Sequence, residues 1–260
     1  MTPVVAAARP VLVIVPGNFS LPRFWSAIQR SVEDNGCPVE VVPLQSSREV
    51  RIDPAPGLAD DVEEAQSALN KHINQGKDVV MLMHSYGGMV GTEATRSLSR
   101  IEREKAGLKG GITRLIFLAA IFAPPGKSTR GLYEANPGRY PRREVRDTLI
   151  SMCFYSDLTK EEGLPLAQDA SKVSQASRVF SDEQTYGGFH KLIPSSYILT
   201  KKDVLVPEAA QRQFISRLEE NGGRPVPVFE LDTAHSPHQT DPQLLVRTLD
   251  KILEKDNGAE

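Results

Sequence analysis

Three residues far apart in the chain, Ser85, Asp203 and His235, are of the types that together make a nucleophile. A serine hydroxyl attacks a carbonyl only when a base takes its proton. The base in turn needs a third group to fix its tautomer and support its positive charge. Each of the three lies just beyond the carboxyl end of a predicted strand, in the order serine, acid, histidine, so all would converge on one sheet edge. Ser85 sits at the corner of KDVVMLMHSYGGMVG (77–91), where an apolar strand at 79–83 turns abruptly into a helix. Such a turn strains the serine backbone and pushes its hydroxyl out over the sheet, so the residues flanking it must be small or well accommodated. Gly87 and Gly88 meet that demand; Met83 stands where glycine is usual and needs room for an unbranched, pliable side chain.

The competing residues are few. After the predicted strand 113–120 no Asp or Glu occurs before Glu134, which leaves Asp203 as the acid. His238 is the rival base, but it lies nearer the final helix. Asp232 reads as a hydrogen-bonding loop residue and His84 as a packed elbow residue. For a developing oxyanion, the Tyr86 N–H at the start of the elbow helix is one donor, and the loop after the first strand supplies a second from Asn18 or Phe19.

These positions need an alternating scaffold. Apolar β-branched runs at 11–15, 39–44, 79–83, 113–120, 196–200 and 226–231 read as strands, and amphipathic stretches at 24–34, 58–74, 89–101, 207–220 and 242–253 read as helices. Strands alternating with helices imply a parallel sheet wrapped on both faces. The alternation lapses at 124–194, which divides the chain into a core at 1–123, an insertion and a core at 195–260. Its helical pieces at 159–172 and 174–180, with Leu149, Ile150, Phe154, Tyr155, Val179, Phe180 and Phe189, read as a cap over the sheet's carboxyl edge. Trp25, Phe154, Tyr155, Tyr186 and Phe189 are the candidates for a substrate pocket wall.

Composition narrows the partners. The 260 residues are 40% hydrophobic and 25% charged with a net charge of −2, a balance without a basic block to attract nucleic acid. No apolar run approaches the roughly 18 residues that span a bilayer. The N-terminal apolar stretch has no basic leader and is used as the first strand. Cys37 and Cys153 are widely separated, which suits free thiols in a reducing compartment and a cytoplasmic location. The five histidines show no metal-ligand spacing, and neither a metal nor a cofactor is expected.

Together, the segment Pro16-Gly17-Asn18 with a later Trp25, HSYGG at 84–88, SSYILTKKDVLVP around Asp203 and DTAHSPHQTDPQLL around His235 resemble the α/β-hydrolase superfamily. The likeness is greatest to its plant esterase and hydroxynitrile lyase group and microbial relatives. The resemblance covers roughly residues 10–122 and 194–255. It implies a mostly parallel eight-stranded sheet with flanking helices and a small helical cap, and cofactor-free hydrolysis of a small-molecule ester, lactone or thioester. Pro16 replaces the histidine usual before that glycine. The lyase chemistry of the group relies on a lysine and a threonine at positions occupied here by Ser236 and Gly17, which disfavours it. A hydrolase-fold binding protein and a biosynthetic tailoring enzyme remain as alternatives, and a homodimer is left open.

Overall fold

A computed structural model describes residues 9–135 and 153–256. Its strands are β1 (Val11–Val15), β2 (Val39–Val41), β3 (Ser47–Arg48), β4 (Asp78–His84), β5 (Gly111–Leu118), β6 (Ser174–Gln175), β7 (Ser195–Thr200) and β8 (Val228–Leu231). Six of them form one parallel sheet in the order β2-β1-β4-β5-β7-β8, and β3 pairs antiparallel with β6 outside it. The expected eight-stranded sheet is thus six-stranded among the described residues. Between β2 and the helix beginning at Leu58, the strand described is the two-residue β3, and Pro54 and Pro56 beyond it have no N–H to donate to a ladder.

Successive residues on a strand face opposite ways, and here each face meets helices. Val11, Val13, Val15, Met81 and Met83 pack with Leu69 and Ile73 of the helix Leu58–Ile73 and with Phe214 of the helix Glu208–Gly222. Leu12, Ile14, Val80 and Leu82 pack on the other side with Ile28 of the helix Ser26–Asp34 and Leu249 of the helix Pro242–Asp256. Burial on both faces explains why β1 and β4 are unbroken apolar runs.

Two helical expectations change. The helix behind the elbow is Gly87–Ala94, and a second one, Arg100–Lys105, starts after Ser97 at φ +62° and is capped by Ser99, whose hydroxyl accepts from the Glu102 N–H at 3.1 Å. The predicted helix at 174–180 is instead β6 followed by a 3-10 turn, Ser177–Phe180. The predicted helix at 159–172 is present as Lys160–Ser171, with Thr159 and Glu162 forming a reciprocal cap. Leu149 and Ile150 lie outside the described residues. No helix among the described residues is long and apolar enough to cross a membrane.

The segment between β5 and β7 is held down at two places. Midway along it, Phe154 and Tyr155 adjoin the loops after β7 and β8: Tyr155 donates its hydroxyl to Gln239 Oε1 at 2.8 Å and Ser156 donates to the Lys202 carbonyl at 3.1 Å. Near its end, the buried Gln184 accepts from the Ala123 N–H at 2.7 Å and donates to Thr92, while Glu93 of the elbow helix accepts from the Tyr186 N–H at 2.8 Å.

Met83 occupies the elbow position usual for glycine because the helix opposite provides the missing space. A Cβ on Gly91 would collide with Met83 Sδ and approach its Cγ to 2.7 Å. Gly91→Ala should therefore lower stability, since about 1–3 kcal/mol of overpacking exceeds the roughly 1 kcal/mol gained from helix propensity. In a Met83→Ala background the same change should become stabilising. A double-mutant cycle by urea unfolding checks this, and strictly additive effects would refute the compensation.

Candidate active site

Ser85 follows β4 directly and has φ +53°, the left-handed conformation expected at the corner. Its N–H donates to the Leu118 carbonyl at 3.1 Å, and its carbonyl accepts from the N–H groups of Gly88 and Ile121, both at 3.0 Å. The oxyanion-side loop lies directly against it. A Cβ on Gly17 would come within 2.9 Å of Ser85 Cβ and 3.2 Å of His84 Nδ1, so only glycine permits this approach.

Asp203 follows β7 and is buried, with four donors. Its Oδ1 accepts from the Leu205 and Val206 N–H groups at 2.7 and 2.9 Å, and its Oδ2 accepts from Thr200 Oγ1 at 3.1 Å and from His235 Nδ1 at 2.6 Å. The loop is fixed from below by Gln211, wholly buried, which donates to the carbonyls of Thr200 and Val206 at 2.9 and 2.7 Å. A carboxylate on Nδ1 leaves His235 Nε2 as the ring nitrogen free to take a proton. Two backbone bonds, Lys201 N–H to Leu231 O at 2.9 Å and Lys202 N–H to Thr233 O at 3.0 Å, hold the acid and base loops together.

His84 contributes more than packing. Its Nε2 donates to the His235 carbonyl at 2.9 Å, which pins the backbone of the base. Burial, followed by the charges of His235 and His238, pushes the His84 pKa well below the usual imidazole value. His238 is buried too and stacks on Trp25 with centroids 4.0 Å apart; burial and then the His235 charge lower its pKa to about 3. Of the two candidate bases, the structure therefore pairs His235 with the acid and leaves His238 in an aromatic stack. Asp232 forms an exposed ion pair with Lys202 at 2.8 Å, in keeping with a loop role.

Of the oxyanion donors, the Tyr86 N–H lies at the N-terminal end of the elbow helix, where backbone donors have no intrahelical acceptor. The Phe19 N–H is already engaged, donating to Gln175 Oε1 at 2.8 Å. With the Phe19 N–H occupied, Asn18 is the remaining candidate of the two for the second backbone donor.

Of the five candidate wall residues, one reaches the site. Phe154 sets its ring edge-on to His235 at 5.5 Å and to Phe19 at 6.5 Å. Trp25 is fully buried against His238 and bonded to Ser20 at 3.1 Å. Tyr155 is a buried tether. Phe189 packs among Phe117 and Phe122 in the core, and Tyr186 lies under the Arg96 guanidinium at 4.5 Å. In these four the aromatic ring serves packing or a tether in the described structure, since aromatic residues supply core and ligand surface alike.

Sequence reasoning overlooked Gln211, Asp61, Asp157 and Gln175. Asp61 is wholly buried and accepts from the Ser46 N–H at 2.9 Å and from the hydroxyl of Tyr86 at 3.0 Å; its burial raises its pKa. Asp157 Oδ2 accepts from the Ala234 N–H at 2.8 Å and from Thr240 Oγ1 at 3.1 Å. Gln211 and Asp61 did leave a signal, each being a polar residue inside the apolar stripe of an amphipathic helix. A cavity of about 290 Å³ lined by Arg9, Asn35, Cys37 and Asp250 lies where β1 and β2 begin, at the sheet edge opposite Ser85.

A family model described as "Alpha/beta hydrolase family" matches residues 12–248. The alpha/beta hydrolase nvfD of Aspergillus novofumigatus (strain IBT 16806) is 27% identical over 250 residues, covering 93% of this chain and 95% of that protein. The probable hydrolase R7 of Phoma sp. (strain ATCC 20986 / MF5453) is 28% identical over 247 residues, 91% of this chain and 95% of its own. Among solved structures, the methylesterase protein MES16 from Arabidopsis superposes with a TM-score of 0.68 at 22% identity, over 94% of this chain and 99% of that one; this likeness shows the fold.

The buried neutral histidines predict acid lability. His238 titrates at 6.5 when unfolded but at about 3 when folded, so between those values the unfolded chain binds more protons and stability falls as pH falls. For His238 the loss should reach roughly 2 kcal/mol between pH 6.5 and 5. Urea midpoints across this range should decline steeply, and less steeply for His238→Phe, which keeps the stack on Trp25. An unchanged slope in that variant would show that His238 is not the titrating group.

Proposed function

The chain belongs to the alpha/beta hydrolase family, and we propose that it is a serine hydrolase cleaving a small-molecule carboxylic ester or lactone through Ser85, His235 and Asp203. The observation that carries this reading is the 2.6 Å bond from His235 Nδ1 to a fully buried Asp203, at the sheet edge where Ser85 stands in a strained turn. The similarity to a structure named as a methylesterase supports an ester as the substrate class.

In this mechanism His235 Nε2 takes the Ser85 hydroxyl proton as Oγ attacks the ester carbonyl carbon. The carbonyl oxygen becomes an oxyanion held by the N–H groups of Tyr86 and Asn18. Asp203 stabilises the imidazolium from Nδ1. The C–O bond to the leaving alcohol breaks as His235 returns the proton to it, and an acyl-enzyme remains on Ser85. Water, deprotonated by the same nitrogen, then releases the acid. His84 positions the base through its backbone, and the described residues 153–194 serve as cap, with Phe154 as the residue that excludes water beside His235.

The test is kcat/KM on p-nitrophenyl acetate. Ser85→Ala and His235→Ala should each lose nearly all activity, and the double variant should be scarcely worse than either, because residues acting as one unit are not additive. Asp203→Asn should lose about 10²–10⁴ in kcat. Undiminished turnover by a folded Ser85→Ala protein would remove the nucleophilic mechanism. Tight ligand-dependent thermal stabilisation without turnover in the native chain would favour a binding protein instead.

A further inference from the structure

A second cavity, of about 160 Å³, opens at the carboxyl edge of the sheet between the loop following β2 and the ridge around β6. Arg48 and Arg51 line it together with Val50, Ile52, Ser174 and Gln175, and among the described residues no Asp or Glu belongs to its wall. Among the described residues, Arg48 Nε is buried without a hydrogen-bond partner and neither arginine forms an ion pair. Other arginines nearby are matched: Arg23 pairs with Glu49 and Asp169, and Arg178 with Asp182. A buried guanidinium donor is costly to leave unsatisfied, so Arg48 Nε has a bond to give to an acceptor from outside the chain.

The cavity also adjoins the candidate site. Gln175 lines it, and the same side chain accepts the Phe19 N–H of the oxyanion-side loop. Val50 and Ile52, 77% and 38% exposed, provide apolar surface beside the two cations. A planar guanidinium fork beside apolar groups suits a carboxylate borne on an aliphatic stem. We propose that this cavity is a carboxylate-binding subsite that takes an acidic arm of the substrate while its ester end reaches Ser85. This rests on the esterase reading above and narrows it to half-esters or lactones carrying a free acid.

The test compares monomethyl esters of straight-chain dicarboxylic acids, from succinate to sebacate, with the corresponding neutral dimethyl esters. Within the series, one chain length should be hydrolysed with the highest kcat/KM and preferred over its neutral partner. Arg48→Gln and Arg51→Gln should each lower kcat/KM for that half-ester about tenfold or more and leave the neutral ester unchanged. Raising the salt to about 0.5 M should weaken the preference in the native protein. Isothermal titration of the best half-ester into Ser85→Ala, with and without Arg48→Gln, reads binding separately from hydrolysis. Binding lost with Arg48→Gln upholds the subsite even where no ester is turned over, an outcome that would fail the esterase reading alone. Hydrolysis of neutral and acidic esters at equal rates in native and Arg48→Gln proteins would overturn the subsite and leave the esterase reading standing. Free adipate altering neutral-ester hydrolysis, without any preference for a half-ester, would likewise overturn the substrate-arm assignment.

Discussion

Holding a serine at φ +53° costs about 1–3 kcal/mol, and the remainder of the site depends on that cost being met elsewhere. The register of β4 between β1 and β5, with Met83 opposite both Val15 and Phe117, brings the Ser85 N–H to the Leu118 carbonyl. Its own carbonyl is then taken up by Gly88 on the helix side and Ile121 on the β5 side. A residue fixed on both sides by neighbours in the sheet core cannot relax without disrupting them. The strain is therefore stored where the hydroxyl must project.

The same economy governs the charges. A buried carboxylate is tolerable only if its lone pairs are occupied, and Asp203 has four donors, one of them His235. In the proposed mechanism, a proton arriving on His235 is stabilised by a neighbour whose desolvation has already been compensated by the backbone of its own loop. Neutral His84 and His238 complete the surroundings. Their burial keeps a second positive charge away from the base, and the Nε2–H of His84 supports the His235 carbonyl.

The sequence made the parallel alternation, the elbow and the order of Ser85, Asp203 and His235 legible, because each is written in local patterns of apolar runs and turn residues. Met83 looked like a defect in the elbow; Gly91, eight residues later, accommodates it, and such a compensation is visible only across the helix–strand contact. The engagement of Phe19 by Gln175 is equally unreadable, since the two are 156 residues apart and meet through a two-residue ladder too short to have a period. Aromatic residues are ambiguous for a different reason. Trp25 and Phe189 have the composition of a binding wall and the environment of a core.

The segment between β5 and β7 meets the site in two mechanically different ways. At 155–157 it bonds to the Lys202 carbonyl and the Ala234 N–H, backbone groups adjacent to Asp203 and His235, so displacement there would shift both. At β6 it bonds instead to the loop after β2, through the β3 ladder and the Ala176 N–H to Ser46 carbonyl bond of 2.8 Å, and that loop is anchored by Asp61 on a separate helix. Changes in the cavity wall at 48–52 or 174–177 therefore leave the acid and base loops in place. On the proposed reading, the residues that hold the base are thus separate from those that would choose what reaches it, and selectivity could vary at the second set without loss at the first.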